Sequence, residues 1–180
     1  MAVSTQLFDL SGQIAVVTGA SKGMGKAMAL ALAEHGSQVV VSSRKLDACE
    51  ETAAEINAAV GADRAIAVAC NIGYKEQLQG LVDETRSRLG AIDTLIANAG
   101  VNPFYGPMSE IPDEAFDKTM NSNLRSNHWL CQMVAPDMLA KQRGSIMITA
   151  SVGAFGPSET LGTYNISKMA DIALVRNLAV

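Results

Sequence analysis

What this sequence lacks excludes several kinds of protein before any motif is weighed. No stretch approaches the roughly 20 consecutive apolar residues that a helix needs to cross a bilayer. The opening residues, MAVSTQLFDLSGQ, show no positively charged segment followed by an apolar one, as a secretory leader would. The expectation is a soluble, cytoplasmic protein without a membrane partner. Basic runs are missing too: 14 Lys and Arg against 18 Asp and Glu leave a net charge of -4. No block of cations could neutralise a row of phosphates, which argues against a nucleic-acid partner. Three cysteines, Cys49, Cys70 and Cys131, lie far apart without C-x-x-C spacing, so core thiols are expected rather than a metal site or a redox pair. His35 and His128 are the only histidines. Neither has the surroundings of a zinc site or a Ser-His-Asp triad, and His35, directly before Gly36, suits a helix C-terminus.

What is present points to a single globular unit. A chain of 180 residues that is 48% apolar and 18% charged can bury one sizeable core. Short apolar runs alternate with longer amphipathic ones, with no internal repeat or low-complexity linker. The runs Ile14 to Gly19, Val39 to Ser43, Ala65 to Cys70, Thr94 to Gly100 and Ser145 to Ser151 are apolar almost throughout. Strands of a parallel sheet covered on both faces have that character. Between them, Cys49, Ala53, Ile56 and Val60 recur at helical spacing, as do Leu78, Leu81, Val82, Thr85 and Leu89, and Gly61 and Gly90 follow as left-handed C-caps. Phe116, Met120, Leu124, Asn127, Cys131, Val134 and Met138 trace one face of a long helix, with Pro112 near its start and Pro136 as a kink. The expected fold class is α/β: a doubly wound parallel sheet in a three-layer αβα sandwich, with ligands gathered at the carboxyl ends of the strands.

Two stretches carry chemistry. After the first strand comes TGASKGMG, whose Gly19, Gly23 and Gly25, with Ser21, Lys22 and Met24 between them, form a turn that opens a helix. Glycines let a ligand's phosphates approach the backbone, and the helix start offers unpaired N–H groups and a positive dipole end, which suits a pyrophosphate. At the end of the second strand stand Ser43 and Arg44, where an NAD-binding fold commonly has an acid for the ribose 2′-hydroxyl. A cation there, helped by Lys22, predicts NADP(H) over NAD(H). Farther on, Tyr164 and Lys168 are four residues apart and share a helix face. An ammonium beside a phenol favours phenolate, which would help Tyr164 exchange a proton with a carbonyl oxygen. Ser151 ends the fifth strand at the same sheet edge, and its hydroxyl could hold that carbonyl.

Together these residues resemble the short-chain dehydrogenase/reductase family in its conventional single-domain subtype. The resemblance runs from about Gln13 to Val180: TGxxxGxG from Thr18 to Gly25, the NAG of Asn98, Ala99 and Gly100, Asn123 in NSNLRS, Ser151 thirteen residues before the tyrosine, and YxxxK as Tyr164 and Lys168. It implies a Rossmann-like fold and an oxidoreductase moving hydride between a nicotinamide dinucleotide and a carbonyl or secondary alcohol. It assigns Tyr164 as general acid or base, Ser151 as the group positioning the carbonyl, and Lys168 as ligand of the nicotinamide ribose that depresses the tyrosine pKa. Asn123 would hold a water in a proton relay, Asn98 would brace the central strand, and Asn71, with Ile72, would lie near the adenine. NAGVNPFYGP and VVVSSRK look most like the family's NADP-dependent carbonyl reductases.

Family members continue beyond this helix through a further strand, a lid and a last strand, so the chain reads as C-terminally incomplete. The resemblance also implies a dimer or tetramer. The alternative reading is a Rossmann-type fragment that binds nucleotide or a partner without turnover. A methyltransferase on a related sheet explains neither the Tyr/Lys spacing nor Arg44.

Overall fold

The five apolar runs become five parallel strands in the computed structural model, which describes residues 7–180. Residues 1–6, part of the opening segment read above for a leader, lie outside the described residues. The strands are β1 (Ile14–Thr18), β2 (Gln38–Ser43), β3 (Ala65–Ala69), β4 (Thr94–Ala97) and β5 (Ser145–Ile148), in the order β3-β2-β1-β4-β5. Six α-helices connect or follow them: α1 (Gly23–Glu34), α2 (Leu46–Val60), α3 (Lys75–Arg88), α4 (Asp113–Met120), α5 (Ser126–Lys141) and α6 (Gly162–Leu178). The strand order reverses between β1 and β4, which places the ligand crevice at their carboxyl ends.

Side chains alternate across the pleat, so each central strand feeds two cores. Val16, Val40, Val68 and Leu95 pack with Leu78, Leu81 and Val82 of α3 and with Leu130, Cys131 and Val134 of α5. Their neighbours Val17, Val41 and Ile96 pack on the other face, with Ala29 and Ala33 of α1 and Cys49, Ala53 and Ile56 of α2. The register sets Val16 opposite both Val40 and Leu95. Burying each such Val, Leu or Ile contributes about 1.5–3 kcal/mol, so the unbroken apolar runs are what closes the three layers.

Two expectations need correction. Coverage on both faces holds for β1, β2 and β4 but fails at the ends of the sheet: β3 exposes Ala69, and β5 alternates exposed and half-buried residues, with Met147 50% exposed. Each of these strands has a single neighbour, so helices cover it less completely. The long helix is not one uniform stripe either. A wider π turn, Asn121–Arg125, separates α4 from α5, and Phe116 is exposed while Thr119, Ser122, Asn123 and Ser126 are buried. An inserted π turn shifts the helical phase, so a 3.6-residue period drawn from Phe116 cannot carry through it. From Asn127 onward the stripe holds, with Cys131, Val134 and Met138 all buried.

Ion pairs then anchor the amino ends of the strands. Asp93, 2% exposed, accepts from the Ile14 N–H at 3.0 Å and from Lys141 Nζ at 2.8 Å. Asp137 on α5 accepts from Arg86 Nε of α3 and from the Ile92 N–H at 2.9 Å. Pro136 sits inside α5, and Arg86 also donates to the Met133 carbonyl at 2.7 Å, one residue beyond the carbonyl that a proline cannot serve.

Candidate active site

The glycine turn is shaped by what a side chain would hit. Gly19 and Gly23 have φ of 66° and 56°, values that favour glycine. A Cβ on Gly25 would collide with the Gly19 carbonyl oxygen and lie 2.7 Å from Asn98 Nδ2, so α1 can start this close to β1 only with glycine there. A Cβ on Gly23 would meet nothing within 4 Å: that side of the turn is open. At the start of α1, Lys22 occupies the N-cap without a capping side chain, and no acidic residue stands in the first turn. The first N–H groups of α1 therefore lack a side-chain acceptor and present positive charge to the crevice. These residues fit the phosphates of a dinucleotide.

Asn98 and Thr18 lock the two strand ends that flank the crevice. Thr18 Oγ1 accepts from the N–H groups of Asn98 and Ala99, each at 3.1 Å, and Asn98 Nδ2 donates to the carbonyls of Thr18, at 3.1 Å, and Gly19. Asn98 and Thr18 thereby join the ends of β1 and β4. On the far side of β1, Lys22 and Arg44 are both exposed at the carboxyl ends of adjacent strands and join no ion pair among the described residues. Ser43 lies beside them, its hydroxyl 3.1 Å from Cys49 Sγ. Asn71 folds its side chain back, accepting from the Gly73 N–H at 3.1 Å, and Ile72 is buried.

The remaining residues meet at the ends of β4 and β5. Tyr164 and Lys168 do project together from α6, with Lys168 Nζ 6.0 Å from the Tyr164 ring centroid. Tyr164 is half-buried, whereas Lys168 is only 3% exposed. Its ammonium donates to the Thr149 carbonyl at 2.7 Å and to Asp171 Oδ2 at 3.1 Å. Gly100 stands in front of it: a Cβ there would be 3.7 Å from Nζ. The strand expected to reach Ser151 stops at Ile148; Ser151 lies beyond it, accepts from the Gly153 N–H through its hydroxyl and caps a short turn over Val152–Phe155. The hydroxyl proton stays available to donate.

Asn123 is fully buried, and its amide is engaged on every side. Its Oδ1 accepts from the Val101 N–H at 2.8 Å, and its Nδ2 donates to the Val101 carbonyl and to Ser167 Oγ at 3.0 Å. The π turn therefore pins the chain just after Gly100 and joins it to α6. Sequence reasoning missed the buried partners behind the site: Ser167, Asp171, and Asn127 in its hydrogen-bonding role. Asp171 is 1% exposed and also accepts from Asn127 Nδ2 at 2.9 Å. Burial raises the Asp171 pKa above the ordinary carboxylate value, against the lowering effect of Asn127 and Lys168. Its place three residues after Lys168, on the same helix face, was the available signal.

No cluster of three or more His, Cys, Asp or Glu that could hold a metal occurs among the described residues. Residues 13–180 match the family model described as short chain dehydrogenase. The chain belongs to the short-chain dehydrogenase/reductase family. Within that family it is 36% identical over 176 residues to dehydrogenase/reductase SDR family member 4 of Oryctolagus cuniculus, covering 98% of this chain and 67% of the relative. For the Bos taurus protein of the same name the identity is 36% over 172 residues, covering 95% and 61%. The chain therefore spans about two thirds or less of these relatives' length. Among solved structures, a 7α-hydroxysteroid dehydrogenase complexed with NADH and 7-oxo glycochenodeoxycholic acid superposes with TM-score 0.91 at 35% identity, over 99% of this chain and 68% of that one. A metagenomic short-chain oxidoreductase in complex with NADP gives 0.88 at 33%, over 94% and 76%.

Proposed function

We propose that this chain carries the dinucleotide site and the proton-transfer site of an NADP(H)-dependent oxidoreductase acting on a ketone, aldehyde or secondary alcohol. The observation that carries this reading is the joint projection of Tyr164 and Lys168 from α6 with the Lys168 ammonium against Gly100, which follows β4, the strand beside the one that leads into the open glycine turn. The N–H groups at the start of α1 would hold the pyrophosphate, and Lys168 would donate to the nicotinamide ribose. When bound, the nicotinamide supplies or takes up hydride. Ser151 would donate its hydroxyl proton to the substrate oxygen and fix its position, and Tyr164 would give that oxygen a proton in reduction or remove it in oxidation. Asn123, its amide engaged by Val101 and Ser167, holds the loop after Gly100 at the right distance from α6.

Structural relatives hold either NADH or NADP, so the preference for NADP(H) rests on Arg44 and Lys22, two exposed cations suited to a 2′-phosphate. Near Tyr164, a recess of about 380 Å³ is lined mainly by apolar side chains, among them Met108, Ala154, Pro157, Ile166 and Met169, which favours a substrate with an apolar body. A cytoplasmic dimer or tetramer, a single dinucleotide-binding domain, and a place near the carbonyl reductases belong to the same proposal and rest on composition and resemblance.

The test is turnover of NADPH with a panel of apolar ketones and aldehydes. Tyr164→Phe is expected to lower turnover by about a hundredfold or more while dinucleotide binding persists, the usual scale of general acid–base catalysis. Binding without turnover by the unaltered chain would overturn the oxidoreductase assignment. Arg44→Ala should weaken NADPH by roughly tenfold, the worth of one charge-assisted contact, and leave NADH unchanged.

A further inference from the structure

Lys168 and Asp171 form an ion pair that is almost wholly out of water, their side chains 4% and 0% exposed. Such a pair is expensive. Removing two charges from water costs several kcal/mol per ion, and well-packed apolar residues in the same space are often equally stable or better. Docking α6 onto α5 therefore gives little reason for an aspartate at this position. What the aspartate does accomplish is visible in the donor inventory of the ammonium.

An ammonium has three N–H donors. One goes to the Thr149 carbonyl and one to Asp171, which leaves a single donor on a group that faces Gly100 and the crevice. Asp171 is itself held by Asn127, whose Nδ2 also donates to the Asn123 carbonyl at the π turn. The ionisable and hydrogen-bonding groups that face Asp171 are Lys168 on its own helix and Asn127 and Cys131 on α5. Charged side chains of α4 and of the π turn are exposed to solvent.

We propose that Asp171 is a positioning residue for dinucleotide binding: its carboxylate fixes the Lys168 ammonium so that one N–H remains directed at the nicotinamide ribose. This inference rests on the dinucleotide reading and adds a residue to it. It predicts that the carboxylate's charge, and not merely its volume, governs affinity at the nicotinamide end.

The experiment measures NADH and NADPH affinity by nicotinamide fluorescence for the unaltered chain and for Asp171→Asn, from about pH 8 down to the lowest pH at which both chains stay folded. At the alkaline end the unaltered chain should bind both dinucleotides about tenfold more tightly, the worth of one well-placed charged contact. That advantage should shrink toward unity as the pH falls and Asp171 takes up its proton. Comparing the two chains at each pH cancels titration of the ligands' own phosphates. A residue that only docks helices would weaken the variant by the same factor at every pH, and a flat ratio, or equal affinities near pH 8, would overturn the inference.

A second readout needs no variant at Asp171. The Nζ resonance of Lys168 in isotope-labelled protein, assigned with Lys168→Arg, should shift as the pH falls and the neighbouring carboxylate is protonated. Insensitivity of that resonance sinks the inference even if Asp171→Asn fails to fold. A chain that binds no dinucleotide at any pH overturns the dinucleotide reading and this inference with it, whereas binding without any Lys168 response overturns this inference alone.

Discussion

A single hydrogen-sized space at Gly25 decides how close α1 may come to β1. The Cβ of Gly25→Ala would strike the Gly19 carbonyl and crowd Asn98, two rigid neighbours that cannot swing away. Overpacking of this kind costs about 1–3 kcal/mol. The expected outcome is an unfolding free energy in urea lowered by that amount together with loss of dinucleotide binding, since the turn that receives the phosphates must move. Gly23→Ala differs: its Cβ points into open space, and only the φ of 56° opposes it. It should weaken binding more than it weakens the fold. Cysteine chemistry is set at this scale as well. Burial pushes the Cys70 and Cys131 thiols up to about 11, with the Asp171 carboxylate adding to the effect at Cys131. Near neutral pH a thiol-specific disulfide reagent should therefore label neither in the native chain and both after denaturation.

Elements are joined by charges as well as by apolar faces. Burial alone would raise the Asp137 pKa, but hydrogen bonds from Arg86 and the Ile92 N–H, with the Arg86 and Lys141 charges, outweigh it and hold the carboxyl below its ordinary value. The sign of the consequence follows from linkage. A depressed carboxylate pKa contributes stability above the unfolded value, and that contribution is lost as the pH falls through the folded value. Asp137→Asn should then cost about 1.5–3 kcal/mol near neutral pH, the range for hydrogen bonds to charged groups, and flatten the acid limb of a denaturation series. Asp171 works in the opposite sense: its raised pKa makes the folded state bind a proton more readily, so stability falls as the pH rises through that window. The two carboxylates sit on neighbouring helices and can be told apart by the sign of their acid limbs. The π turn between α4 and α5 belongs to this scale too, because it turns Asn123 toward Val101 and Ser167 and so couples the loop after β4 to α6.

Over the whole molecule, the site lies where three layers end together. The carboxyl edge of the sheet offers the open glycine turn after β1 and, after β4 and β5, the Tyr164, Lys168 and Ser151 group. Ligand binding there should stabilise the whole chain by mass action, by roughly 2.7 kcal/mol at a hundredfold excess over Kd. A thermal midpoint that rises with NADPH concentration, and rises less with NADH, is the expected result; equal shifts would remove the argument from Arg44 and Lys22. At the opposite end of the strand order, β5 leaves one edge without a neighbouring strand among the described residues. Its exposed Met147 and unpaired backbone groups make that edge receptive to another strand.

The sequence by itself determined the layers and the list of parts. Unbroken apolar runs of β-branched residues between helical stripes leave a parallel sheet as the economical way to bury them, and the spacing of Gly19, Gly23 and Gly25, or of Tyr164 and Lys168, is local enough to survive any packing. What period and spacing could not carry is long-range polar pairing. Asn123 reaching Val101, Asn127 and Lys168 both reaching Asp171, and Asp93 serving β1 and α5 at once depend on elements distant in the chain being brought within about 3 Å. The phase shift of the π turn was hidden for the same reason, since its buried side chains are polar and are satisfied by tertiary partners. Hydrophobic burial is additive and periodic, so it shows in one dimension; a buried hydrogen bond needs a partner in a particular direction, and only the folded chain supplies it.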